Sequence, residues 1–137
     1  MADVPVPDQV RDESFFSRAL RVAPAALYLA FIWLLSDRPG DTLPGGIDDR
    51  IAHFGEYCLL MLLVTFALTA FDPARIVRGT LLAAGVFSLA WAILDEFHQS
   101  FIPGRFSSLR DIAFDLLGIL AAAAFLASLA ALDRRRA

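Results

Sequence analysis

Charged positions along this chain fall in clusters and leave four long gaps between them. Residues 22–36, 57–71, 79–94 and 116–132 carry no charge and run for 15, 15, 16 and 17 positions. They read VAPAALYLAFIWLLS, YCLLMLLVTFALTAF, GTLLAAGVFSLAWAIL and LLGILAAAAFLASLAAL. Each is apolar on every side rather than along one stripe, the pattern of a helix set in lipid. Leu, Ala and Phe dominate. A lone apolar segment in a bilayer satisfies its backbone groups only as a helix. The pattern therefore predicts an all-α fold of four transmembrane helices.

Length sharpens this picture. Crossing a hydrocarbon core of ~30 Å takes ~20 helical residues, and every gap is shorter than that. Each helix must therefore take in polar flanks. The second extends back over Glu56 and His53, the third forward over Asp95 and Glu96, and the fourth back over Asp115. Ionisable groups at such depth face a protected interior rather than lipid.

Local signals mark the ends. Asp72-Pro73 reads as an N-cap and first-turn proline for the third helix, and Asp48 or Asp49 as the cap of the second. Ser108 and Asp111 have capping-box spacing, with aspartate in the glutamate place. Residues 36–46, SDRPGDTLPGG, form a turn-rich break. Four helices on short connections imply an up-down-up-down bundle. The expected organisation is a tail or short surface helix over 1–18, the bundle over 19–132, and a basic tail over 133–137. Residues 22–35 have the length of a secretory signal core. However, Leu34 and Ser36 make no small-x-small cleavage site, and Asp12 and Glu13 spoil a basic leader, so the first helix is expected to be retained.

Composition agrees. The 137 residues are 58% hydrophobic and 20% charged, against ~45–50% and ~25% for soluble domains, and mean hydropathy is +0.60. A disordered chain is excluded, and a net charge of −3 leaves no nucleic-acid footprint. Lysine is absent, so all twelve cations are arginine. Eight of these (Arg11, Arg18, Arg21, Arg75, Arg78, Arg134, Arg135 and Arg136) flank one end of the expected bundle. Four (Arg38, Arg50, Arg105 and Arg110) flank the other. That excess places both termini in the cytoplasm. The single Cys58 permits no intrachain disulfide and no cysteine-based zinc site.

The residues able to carry chemistry gather at the outward end. Asp49, His53 and Glu56 are spaced i, i+4, i+7 at the start of the second helix, on one face. At the end of the third, Asp95, His98 and Gln99 share a face and Glu96 is spaced to pair with Gln99. A Pro103-Gly104 turn delivers Arg105, and Asp111 and Asp115 look the same way from the fourth helix. Gly118 and Ala122 continue that face with small residues that would admit another helix closely. Three readings stay open. One is a divalent metal held by His53, Glu56, Asp95, Glu96 or His98, a chemically adequate set without a strong spacing signature. Another is an ion-pair network, such as Arg105 with Asp95 or Asp111, that ties helices together. The third is a binding or catalytic site built on that network. Trp33, Tyr57 and Trp91 read as interface anchors or core, and Cys58 as buried and inert.

The motif order resembles the VanZ-like family of small bacterial membrane proteins, named for a protein associated with teicoplanin resistance. The resemblance runs from about Leu27 to Ala124. It is most specific in DEFHQSFIPGRFSSLRDIAFDLLG, residues 95–118, and DDRIAHFGEY, residues 48–57. It implies that Asp49, His53, Tyr57, Asp95, Glu96, Gln99, Arg105, Asp111 and Gly118 are the motif residues. Arg50 stands where the family often has lysine, and Asp115 where an asparagine is common. The implied protein is a multi-pass member of the bacterial cytoplasmic (inner) membrane, with the bilayer as its partner and no cofactor. The expected function is an outward polar site that binds, or alters access to, an envelope component. The rivals are an enzyme acting on a lipid-linked anionic headgroup and a ligand-free scaffold. In the enzyme, Glu96 or Asp95 would serve as base, His53 or His98 as proton carrier, and Arg105 as clamp. Oligomeric state is left open.

Overall fold

The computed structural model describes residues 15–39, 48–70 and 72–136. Most of the expected N-terminal tail, including Arg11, Asp12 and Glu13, and residues 40–46 of the first loop lie outside them. Four helices make up the fold, with no strand among the described residues. They are α1 (Phe15–Ser36), α2 (Asp49–Thr69), α3 (Arg78–Gln99) and α4 (Leu109–Arg134). Their lengths are 22, 21, 22 and 26 residues. All four are long and apolar enough to cross a membrane. The uncharged gaps were too short, and each helix makes up the difference as expected, by taking in its polar flank.

The packing is that of a membrane protein. Large side chains such as Leu27, Leu34, Leu82, Val86, Leu120 and Phe125 point outward. Much of the interior is small: Ala25, Ala84, Ser88, Ala92, Ala122 and Ala130 are buried. With lipid outside there is no hydrophobic gain in turning large residues inward, so close packing of small ones drives association. The tightest contact is between α2 and α4. A Cβ added at Gly118 would run into the Phe54 carbonyl and come within 2.9 Å of the Cys58 backbone nitrogen. The expected close approach through Gly118 is thus backbone against backbone.

Side-chain contacts show which ends meet. Ser36 at the end of α1 bonds Asp95 and Gln99 at the end of α3. His53 near the start of α2 bonds Asp115 near the start of α4. At the opposite end Ile76 packs on Leu126 and Ala130. The buried ionisable groups lie at one end of the bundle, and the rest of the interior is apolar apart from hydroxyls such as Thr65, Thr69 and Ser88.

Two caps differ from the sequence reading. Asp72-Pro73 caps a short 3-10 turn, Pro73–Arg75, with Asp72 accepting from the Ala74 N–H at 3.0 Å. The third helix begins only at Arg78, after Val77, which offers no side-chain cap. The extra turn arises because Asp72 closes onto a turn that ends at Ile76, whose burial against α4 redirects the chain. Ser108 does cap α4, its hydroxyl accepting from the Arg110 N–H at 3.2 Å. The reciprocal partner is not Asp111. The Ser108 N–H donates to Glu96 of α3 at 2.7 Å, so the cap is completed by a neighbouring helix.

Candidate functional site

The polar end is built from all four helices. His53 is held by α2 with only 5% of its surface exposed. Its Nδ1 lies 2.9 Å from Asp115 Oδ1, where the imidazole N–H donates to the carboxylate. Asp115 is completely buried. That bond fixes the ring and turns Nε2 toward Glu96, whose Oε1 stands 4.0 Å away. Glu96 bridges α3 to α4 through its other oxygen, which accepts from Ser108. Burying a carboxylate is costly unless it is hydrogen-bonded, and Asp115 and Glu96 each meet that cost with one oxygen only.

A second cluster lies beside the first. Asp95 accepts from the Ser36 hydroxyl and, at 2.9 Å, from Gln99 Nε2. The same Gln99 nitrogen donates to Ser36 Oγ at 2.9 Å. The triad of Ser36, Asp95 and Gln99 joins α1 to α3 and is all buried. Ser36 was not anticipated. Nothing in the local pattern marks it, because its partners are about sixty residues away in sequence. The expected pairing of Glu96 with Gln99 does not form; Asp95, one turn back, takes the amide and Glu96 turns to α4.

Arg105 reaches inward from the loop between α3 and α4. Ile102 O accepts from the Arg105 N–H at 3.1 Å, and Gly104 has φ 75°. With Pro103 first and Gly104 second, these are the marks of a type II turn. The guanidinium donates through Nη2 to the Leu35 carbonyl at 3.4 Å. The expected pairing with Asp95 or Asp111 is absent among the described residues. The turn sets the side chain on the α1 terminus instead.

Several buried polar atoms here have no hydrogen-bond partner within the protein. They include Glu96 Oε1, Asp115 Oδ2, Tyr57 Oη and Arg105 Nε. Tyr57 is wholly buried one turn after His53, and Asp95, Asp115, Glu56 and Glu96 are its electrostatic neighbours. Half-buried Glu56 has His53, Asp95, Asp115 and Arg105 as electrostatic neighbours. A cleft of about 400 Å³ opens at the same end, lined by Asp49, Gln99, Gly104, Arg105, Phe106, Ser108 and Asp111. Buried polar atoms are nearly always paired, so four orphans at this polar end, one of them on the cleft-lining Arg105, call for an explanation.

Two of the sequence candidates stand apart. Arg50 is exposed and lies 3.6 Å from Asp48, the residue that caps its own helix. His98 stacks on Trp33 with ring centroids 4.0 Å apart and reaches Asp37 at 3.6 Å, on the α1 side. The remaining candidates, Asp49, His53, Glu56, Tyr57, Asp95, Glu96, Gln99, Arg105, Asp111 and Asp115, share the polar end.

Fold and site together describe a multi-pass membrane protein with an internally polar end. A family model described as VanZ/LLP1 matches residues 28–130. The chain belongs to the VanZ/LLP1 family. No curated protein and no solved structure matches it.

Proposed function

We propose that the polar end faces outward from a bacterial cytoplasmic membrane and binds the anionic, hydroxyl-rich headgroup of a lipid-linked envelope component. One observation carries the reading: orphaned buried donors and acceptors at the end of the bundle where a polar cleft opens. A scaffold would pair these groups with one another, because a half-satisfied buried network is worse than an apolar core. A ligand with phosphate or hydroxyl groups supplies the missing partners. Arg105 offers charge-assisted donors of the kind that suit phosphate, and Asp49 and Asp111 offer acceptors to hydroxyls. The family's link to teicoplanin makes glycopeptide susceptibility a natural readout. Alanine at Arg105, Glu96 or His53 is expected to change susceptibility and envelope lipid composition in cells where the protein stays folded. Unchanged values for all three would reject the reading.

A second reading rests on the alignment of Asp115, His53 and Glu96. An imidazole oriented by a buried carboxylate on Nδ1, with Nε2 turned to another carboxylate, is suited to moving a proton. In this reading Glu96 and His53 act on a bound headgroup that Arg105 clamps. A headgroup turnover screen with purified protein, with and without chelator, decides it. Turnover lost in Glu96→Gln supports an enzyme, and no turnover under either condition argues for binding alone.

A further inference from the structure

We propose that His53, Asp49 and Asp111 form a binding site for a divalent transition-metal ion, with Asp115 orienting the imidazole and the buried Glu96 Oε1 facing its Nε2. Asp49, His53 and Asp111 each present one ligand atom, and these atoms lie within 4.8 Å of one another. Metal–ligand bonds to nitrogen and oxygen run ~2.0–2.2 Å, so donors on opposite sides of an ion stand up to ~4.4 Å apart. The three are within a few tenths of an ångström of that limit. Asp49 is exposed and Asp111 half-buried, so both carboxylates have freedom to close.

A second observation is independent of that cluster. Glu96 is 2% exposed, and its Oε1 has no partner. It faces His53 Nε2 at 4.0 Å, too far for a hydrogen bond and about twice a metal–ligand bond. His53 is also oriented as a ligating histidine usually is, with Nδ1 bonded to a buried carboxylate, Asp115. Charge points the same way. Asp49, Asp95, Asp111 and Asp115 are among the electrostatic neighbours of His53 and Glu56, so carboxylates dominate around the imidazole. One imidazole with several carboxylates suits Zn2+ or Mn2+ rather than Ca2+ or Mg2+, which prefer oxygen alone.

The cation site rests on the geometry of His53 and its neighbours and not on the headgroup reading. The test uses full-length protein in lipid nanodiscs, stripped with EDTA and titrated with ZnCl2, followed by metal analysis after gel filtration. One Zn2+ per chain is expected. His53→Ala is expected to abolish binding, and Asp115→Asn, a positioning change, to weaken it by ~10–100-fold. Asp133→Asn, at the far end of α4, should leave it unchanged. If His53→Ala does not fold, the double variant Asp49→Asn/Asp111→Asn is expected to lose stoichiometric Zn2+ from positions nearer solvent. Zn2+ bound by wild type and lost in these variants upholds the site even if vesicles containing anionic phospholipid do not bind. Wild type without stoichiometric Zn2+ or Mn2+, or variants that keep it, overturns the site. Vesicle binding that persists in that metal-free protein would leave the headgroup reading standing.

Discussion

At the residue scale, the site depends on how each buried polar atom is partnered. Asp115 and His53 are the sharpest case. Removing one member of a buried hydrogen-bonded pair leaves the other uncompensated, a loss of ~3–5 kcal/mol. Asp115→Ala is therefore expected to lower stability by about that amount in denaturant unfolding in detergent. Asp115→Asn keeps an oxygen that can accept from His53 Nδ1 and is expected to cost less than half as much. Equal losses for the two would show that the bond does not hold the ring. Gly118 is the steric counterpart. A side chain there meets the α2 backbone, which has no rotamer with which to yield. Gly118→Val is expected to destabilise by at least the ~1–3 kcal/mol of an overpacked core, read as a lower melting temperature. A melting temperature equal to wild type would contradict the close contact.

At the element scale, the helices were legible in the sequence and many of the links between them were not. The uncharged gaps gave the number of helices, and their shortness gave the polar residues each helix had to absorb. That argument needs only the bilayer's thickness, so it placed His53, Glu56, Asp95, Glu96 and Asp115 inside helices α2, α3 and α4. The direction each residue takes depends on which helix lies beside it. Asp95 and Gln99 meet Ser36 of α1, Glu96 meets Ser108 at the start of α4, and His98 turns to Trp33. A face count on α3 alone grouped His98 with the first pair and matched Glu96 to Gln99. The caps show the same limit: Ser108 was readable as a local cap, but its closure by Glu96 was not. The Glu96 link gives a test of its own. Glu96→Gln keeps an acceptor for the Ser108 N–H, so it should leave α4 intact while altering ligand or metal binding. Glu96→Ala removes the acceptor and should also lower stability by ~1–3 kcal/mol, the cost of an unsatisfied buried group. A stability loss as large in Glu96→Gln would assign Glu96 to structure alone. The far end of α2 offers a simpler case. Ala70 closes the helix at φ 54° with its N–H donating to Phe66. A left-handed residue with a Cβ carries strain of ~1–2 kcal/mol, so Ala70→Gly is expected to raise the melting temperature. A fall would mean that Ala70 packing outweighs its strain.

At the scale of the whole molecule, the two ends are chemically unlike. Arg75, Arg78 and Arg134 lie at the end where Ile76 packs on α4, away from the polar cluster. Arg38, Arg50, Arg105 and Arg110 belong to the polar end. We propose, from the arginine excess, that the first end faces the cytoplasm and the cleft opens outward, toward an envelope component. That orientation is the claim on which the proposed function rests, and Phe106 reports on it directly. It lines the cleft and is 86% exposed. In a Cys58→Ala background, which removes the native thiol, Phe106→Cys can be treated with a membrane-impermeant maleimide on intact cells. Labelling without permeabilisation is the expected result; labelling only after the membrane is opened would place the cleft in the cytoplasm and contradict the account.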